Sequence, residues 1–231
     1  MRVAVVTGAS KGLGRALAKG LAEQGWALVV DARGTEELRG VRDEVAEATR
    51  VVAVPGDVTD PGHRARVAAE AAALGGAALL VNNASDLGPS PLPRLVDYPV
   101  DALRRVFEVD VLAPLAMVQG LRQQLVRHRG TVLNISSDAA VEPYEGWGGY
   151  GSAKAALDQI TAVLAVEEPG LRVLAVDPGD LRTEMHQRAY PGEDISDRPD
   201  PGSVVPHLLA LLTDPPAGVR HRVADLAGAR S

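Results

Sequence analysis

Six short, almost continuously apolar runs, separated by longer amphipathic stretches, constrain this chain more than any other feature. The runs are Val3–Val6, Ala27–Val30, Val51–Val54, Ala77–Val81, Thr131–Ile135 and Leu171–Val176. They lack the alternation of a half-buried strand, and strands covered on both faces read this way. Helical periodicity lies between them, over Arg15–Gln24, Glu36–Ala48, His63–Leu74, Val100–His128 and Ser152–Glu167. Gly25 stands where a helix C′ glycine belongs, and Asp60-Pro61 suits an N-cap followed by N1. Pro114 has no amide hydrogen and should bend or split the fourth helix. Val204–Leu212 reads as a last helix and Val219–Leu226 as a last strand. This rhythm predicts an α/β fold: one doubly wound Rossmann-type domain over residues 1–231, with a parallel sheet of about seven strands. Residues 184–203 break the pattern. They are polar, rich in Pro, Gly and Asp, and too long for an idle connection, which predicts a mobile lid or a disordered loop.

Composition narrows the function. Aromatic residues make up 3% of the chain against 46% hydrophobic residues overall, so Val, Leu and Ala must build the core. The formal net charge of −6 argues against a nucleic-acid or anionic-membrane partner, which needs a basic footprint. With no cysteine, neither disulfides nor thiolate metal sites are available. The five histidines are scattered, so no metal site is expected. The first apolar run is too short for a signal segment or a membrane span, which points to a cytoplasmic protein.

The first strand runs into T-G-A-S-K-G-L-G, with Gly8, Gly12 and Gly14 at the turn and Ser10, Lys11 and Leu13 between them. Glycine permits positive φ and close approach of backbone to a phosphate. The helix that follows points free N–H groups and a positive dipole end at it. A tight turn with no ligand is the plainer reading, but the position after the first strand of an alternating pattern favours a dinucleotide. Further along, Tyr150 and Lys154 stand one helical turn apart and share a face. A nearby ammonium favours the phenolate, so Lys154 should lower the pKa of Tyr150 towards the range useful for acid–base work.

The glycine turn, N-N-A at Asn82–Ala84, N-I-S-S at Asn134–Ser137 and Tyr150-x-x-x-Lys154 form an ordered set. Together they make the chain resemble the short-chain dehydrogenase/reductase family over nearly its whole length. The resemblance implies carbonyl reduction to an alcohol, or the reverse, on a small-molecule substrate, with Tyr150 as general acid/base. Ser137, thirteen residues before Tyr150, is implied to hydrogen-bond the reacting oxygen, in preference to Ser136. Lys154 is implied to hold the nicotinamide ribose and tune Tyr150. Asn83 and Ala84 are implied in the cofactor site, as are Asp57 at the adenine amino group and Val58 beside its ring. Pro178, Gly179, Leu181 (through its backbone) and Thr183, from a P-G-x-x-x-T segment, would meet the carboxamide. Arg33 falls where NADP-preferring members carry an arginine, while Asp31 falls one place early for reading a ribose hydroxyl. NADP(H) is therefore preferred and NAD(H) possible. Two residues depart from the pattern: Ser85 replaces a glycine, and Asp110 replaces an asparagine that helps hold a relay water near Lys154. Aspartate keeps the shape but carries charge, so it is either a tolerated near-isostere or a brake on turnover.

Tyr144 and Trp147 precede the tyrosine, and His186 and Tyr190 sit in the lid; each is a pocket wall or ordinary packing. The alternatives to a carbonyl reductase are a nicotinamide-binding sensor with little turnover, or imine or pterin reduction on the same scaffold. By the same resemblance, a homodimer or homotetramer is expected through the fourth and fifth predicted helices.

Overall fold

The computed structural model describes residues 1–228. In chain order its elements are β1 Val3–Val6, α1 Gly12–Glu23, β2 Ala27–Ala32, α2 Thr35–Val45, β3 Val51–Pro55, α3 Pro61–Ala73 and β4 Ala77–Asn82. The chain continues through α4 Val100–Phe107, a π-helical turn Glu108–Leu112, α5 Ala113–Arg127, β5 Thr131–Ile135, α6 Gly148–Glu167 and β6 Arg172–Asp177. It ends with α7 Glu184–Ala189, α8 Val205–Thr213, β7 Arg220–Arg222 and α9 Val223–Gly228. The seven strands form one parallel sheet in the order β3-β2-β1-β4-β5-β6-β7.

Burial on both faces explains the unbroken apolar strands. Along β1, Ala4 and Val6 pack with Leu17 and Leu21 of α1, Leu38 of α2 and Leu208 of α8. Val3 and Val5 pack on the opposite side with Val67 of α3 and Met117 and Leu121 of α5. The strand order reverses direction between β1 and β4, so their carboxyl ends open a crevice there, the usual ligand position of such sheets. No described helix is long and apolar enough to cross a membrane.

One expectation is borne out and two change. The long fourth helix is split, as Pro114 suggested, and the break is a π turn carrying Asp110. An α-helix would require a Pro114 amide to bond the Asp110 carbonyl. Proline lacks that donor and its ring would clash there, so the backbone widens. The expected last strand is only three residues long, because it pairs with Ala175–Asp177 alone, and the chain then turns into α9 and buries Val223. The 184–203 segment contains α7 and docks on the body. Arg188 donates to the Gly88 carbonyl at 2.8 Å and Ser90 to the Arg188 carbonyl at 2.7 Å.

Candidate active site

The crevice is a cleft of about 840 Å³, within the range of small-molecule and cofactor sites. Its floor is the turn after β1, which three contacts shape. Gly8 has φ +64°, and a Cβ there would lie 2.7 Å from Ala84 Cα. A Cβ on Gly14 would run into the Gly8 carbonyl and the Asn83 amide. Asn83 itself donates to the Thr7 carbonyl at 2.9 Å and the Gly8 carbonyl at 3.1 Å. The Asn83 side chain and Gly14 therefore hold the turn against β4, and Gly14, unlike the other predicted cofactor residues, does not line the cleft.

The start of α1 fits a diphosphate. Its N-cap, Lys11, makes no side-chain capping bond, and no acidic residue sits in the first turn. The leading N–H groups are left for an anion, and glycines keep side chains away from it. Opposite, Thr183 lies so that a Cβ on Gly12 would approach its Cγ2 to 3.3 Å. Pro178, Gly179 and Leu181 complete that wall, and Thr183 caps α7 by accepting from the His186 amide at 3.1 Å. Lys11 reaches across the cleft mouth to Glu184 at 2.5 Å.

At the outer end, Arg33 lines the cleft, is exposed, and makes no ion pair among the described residues. Asp31 is buried and turned inward, where it accepts from the Gly8 amide at 3.0 Å and pairs with the buried His63 at 3.2 Å. Arg15 faces away and pairs with Glu44 at 2.9 Å. Asp57 lines the cleft beside Val58, but both its oxygens are engaged, one by Thr59 and the other by Arg105 at 2.7 Å. Burial works against ionisation, yet the Thr59 donors and the Arg105 guanidinium prevail and hold Asp57 at about 2. Arg105 escaped the sequence reading, because nothing in a helix surface arginine signals which distant loop it will meet.

The inner end gathers Ser137, Tyr150 and Lys154. Tyr150 and Lys154 are both buried on α6, with the Lys154 ammonium 5.4 Å from the phenol ring centre. Lys154 donates to the Ile135 carbonyl at 3.0 Å and lies 3.0 Å from Asp110 Oδ1. Two of its three N–H groups are thus engaged. Asp110 is wholly buried behind the cleft rather than lining it. Ser137 donates to Asp138 Oδ1 at 2.9 Å and accepts from the Ala139 amide at 3.2 Å. Ser136 is buried beside it, and its hydroxyl has no partner among the described residues.

The expected direction of the Tyr150 shift is overturned. Burial raises the phenol above its ordinary value, and the help from Lys154 is offset by the Asp110 carboxylate behind it. Lys154 stays charged although burial opposes it, because Asp110 and Tyr150 favour the ammonium. Trp147 stands edge-on to Tyr150 at 5.8 Å and 6.2 Å from Tyr190, which lies 5.0 Å from His186. With Leu87, these side chains wall the space in front of the phenol.

Comparison with known proteins agrees with this geometry. Residues 2–194 match the short chain dehydrogenase family. Rat (Rattus norvegicus) sepiapterin reductase is 35% identical over 81% of this chain and 77% of its own length. An alcohol dehydrogenase from the archaeon Thermococcus sibiricus, solved with 5-hydroxy-NADP, superposes with a TM-score of 0.85 at 26% identity, covering 96% of this chain and 94% of that one. A short chain dehydrogenase from Shigella flexneri 2a, solved with NADP, gives 0.87 at 25% identity, covering 96% and 97%. The chain belongs to the short-chain dehydrogenase family and is an NAD(P)-dependent oxidoreductase.

Proposed function

We propose that this protein is an NADP(H)-dependent reductase of a ketone or aldehyde, with Tyr150 as the proton donor. One observation carries the reading: a single cleft has Arg33, which makes no ion pair among the described residues, at its outer end and the Ser137, Tyr150 and Lys154 side chains at its inner end. The bound cofactor supplies hydride. The α1 N-terminus and the glycine turn hold its diphosphate, and Arg33 meets a 2′-phosphate as a charge-assisted partner. Tyr150 gives its phenolic proton to the carbonyl oxygen as negative charge develops there. Ser137 turns its hydroxyl from Asp138 to the same oxygen, and the remaining N–H of Lys154 serves the ribose side. Trp147, Tyr190 and Leu87 exclude water around the reacting carbon.

The aromatic wall and the likeness to rat sepiapterin reductase support a second reading, reduction of a carbonyl borne on or beside a pterin-like ring. Exposed Val100, Leu112, Val163 and Val166 on and beside α4 to α6 support self-association into a homodimer or homotetramer through these helices.

Fluorescence titration with NADPH and with NADH tests the cofactor assignment. NADPH is expected to bind at least tenfold tighter, and R33A to remove that preference by weakening NADPH alone by roughly 10–100-fold, the worth of a charged hydrogen-bonding partner. Equal affinities in the parent protein would overturn it. Tight NADPH binding with no turnover on any carbonyl would instead favour a cofactor-sensing role.

A further inference from the structure

The short strand β7 delivers one side chain to the back of the active site. Alternation along it puts the buried His221 on one face of the sheet and Arg220 on the other. There the Arg220 guanidinium forks. Its Nε donates to Asp158 Oδ2 at 2.8 Å, and its Nη2 donates to the Ser137 carbonyl at 2.9 Å. Asp177 Oδ2 lies 3.9 Å from the same Nη2. Only 26% of the Arg220 side chain and 14% of that of Asp158 are exposed, so the pair is not a screened surface contact. Neither residue lines the cleft.

The backbone of Ser137 has little else to hold it. The hydrogen-bonded ladder between β5 and β6 ends one residue earlier, where the Ser136 amide donates to the Val176 carbonyl at 2.7 Å. Among the described residues, the other donor to the Ser137 carbonyl is the Ala140 amide at 3.2 Å, which belongs to the same turn and moves with it. Asp158 stands on α6 one turn beyond Lys154 and two beyond Tyr150. One guanidinium therefore joins the loop that carries the serine to the helix that carries the tyrosine and the lysine.

We propose that Arg220 is a positioning residue for the reaction. It fixes the Ser137 main chain against α6, so that the hydroxyl swings from Asp138 to the substrate oxygen about a stationary backbone. The proposal rests on Ser137 binding that oxygen. A planar guanidinium suits the task, because its donors point in fixed directions and hold two acceptors at once; an ammonium on a flexible stem does so less rigidly. Misplacing a catalytic group by about 1 Å costs on the order of 10²-fold in rate.

The test is a double-mutant cycle in kcat between R220M and S137A, with R220K beside them. Turnover is read as NADPH-driven reduction of trifluoroacetophenone, a neutral, activated ketone. R220M is expected to lower kcat roughly tenfold or more, with NADPH affinity and KM within about twofold, because no residue of the cleft wall is changed. The unchanged affinity also reports that the variant folds. R220K should recover part of the loss. In S137A no hydroxyl remains to be placed, so R220M should there cost less than about twofold. R220M/D158L leaves no unpaired carboxylate behind, and should show the same dependence on Ser137 even if R220M alone is unstable. An equal loss in S137A and in the parent protein would overturn the proposal, as would full kcat in R220M. A fall in NADPH affinity that matches the fall in kcat would also overturn it, by moving the effect to Asp177 and the turn after β6. Full kcat in S137A itself would instead overturn the underlying reading of Ser137.

Discussion

The Tyr150 phenol is protonated through neutral pH, and burial raises it further above its ordinary value. Lys154 favours the phenolate, Asp110 behind it disfavours it, and burial then decides the direction. The acid form, which reduction needs, is therefore the resting form, whereas oxidation needs the rarer phenolate. Reductive kcat/KM should hold level through neutral pH and fall only above about pH 10, where a phenol raised above its ordinary value begins to lose its proton. A pH profile of reduction checks this; a fall centred near neutral pH would show that a group other than Tyr150 gives the proton. If Tyr150 is the proton donor proposed above, Y150F should lose roughly 10²–10⁴-fold in kcat and leave NADPH affinity within a few-fold, since the ring stays and only the hydroxyl is removed. The spacing of Tyr150 and Lys154 was legible because a helical turn is a local relation. Of their electrostatic setting, Asp110 near Lys154 was legible only through the family resemblance, and the burial and the contact of Ser85 with Asp110 were not, because the three meet only after separate segments are packed together.

At the scale of elements, the turn from β1 into α1 owes its shape to β4. Gly14 touches no part of the cleft, yet a methyl group there would strike the Gly8 carbonyl and the Asn83 amide. Backbone on one side and a doubly bonded amide on the other cannot yield cheaply. G14A should cost about 2 kcal/mol of overpacking, which for a chain of this size lowers Tm by roughly 4–8 °C. It should also weaken NADPH and NADH alike, because the common diphosphate site is displaced. A thermal melt with both titrations checks this; loss of NADPH binding alone would place the damage at the 2′-phosphate instead. The sheet and its helices were readable because parallel strands buried on both faces leave an apolar run and helices leave a 3.6-residue period. The π turn was readable only as a break at Pro114. Its consequence, Asp110 buried against Lys154, follows from how α4 and α5 lean on α6, which periodicity does not encode. The same limit hid the Asp57–Arg105 pair, which joins the end of β3 to α4.

Charge is distributed unevenly over the molecule as a whole. Within a net charge of −6, the cleft places Lys11, Arg33 and Arg105 towards the nucleotide end and Asp138, Glu145 and Asp180 around the space before Tyr150. His186 adds no compensating charge near neutral pH, because burial pushes its pKa down. Arg182 is drawn towards Asp200 at 3.8 Å, and Arg198 faces Asp180 at 3.7 Å, which leaves Asp138 and Glu145 with no ion pair among the described residues. A cleft lined by one sign of charge concentrates ligands of the other sign and repels its own. The substrate is therefore expected to be neutral or cationic at the end that faces these carboxylates. Three aryl ketones of matched size, carrying an ammonium, a methyl and a carboxylate group, put this to measurement. At low ionic strength kcat/KM should fall in that order, with the anion about tenfold below the cation, or about 1.4 kcal/mol. The gap should close towards 1 M salt, where the screening length drops to about 3 Å, while the neutral ketone barely responds. D138N should narrow the gap at low salt, because it removes one of the facing charges and keeps the shape. An anion turned over as fast as the cation at low salt would show that these carboxylates do not face the bound substrate, and that the aromatic wall of Trp147 and Tyr190 selects by shape alone.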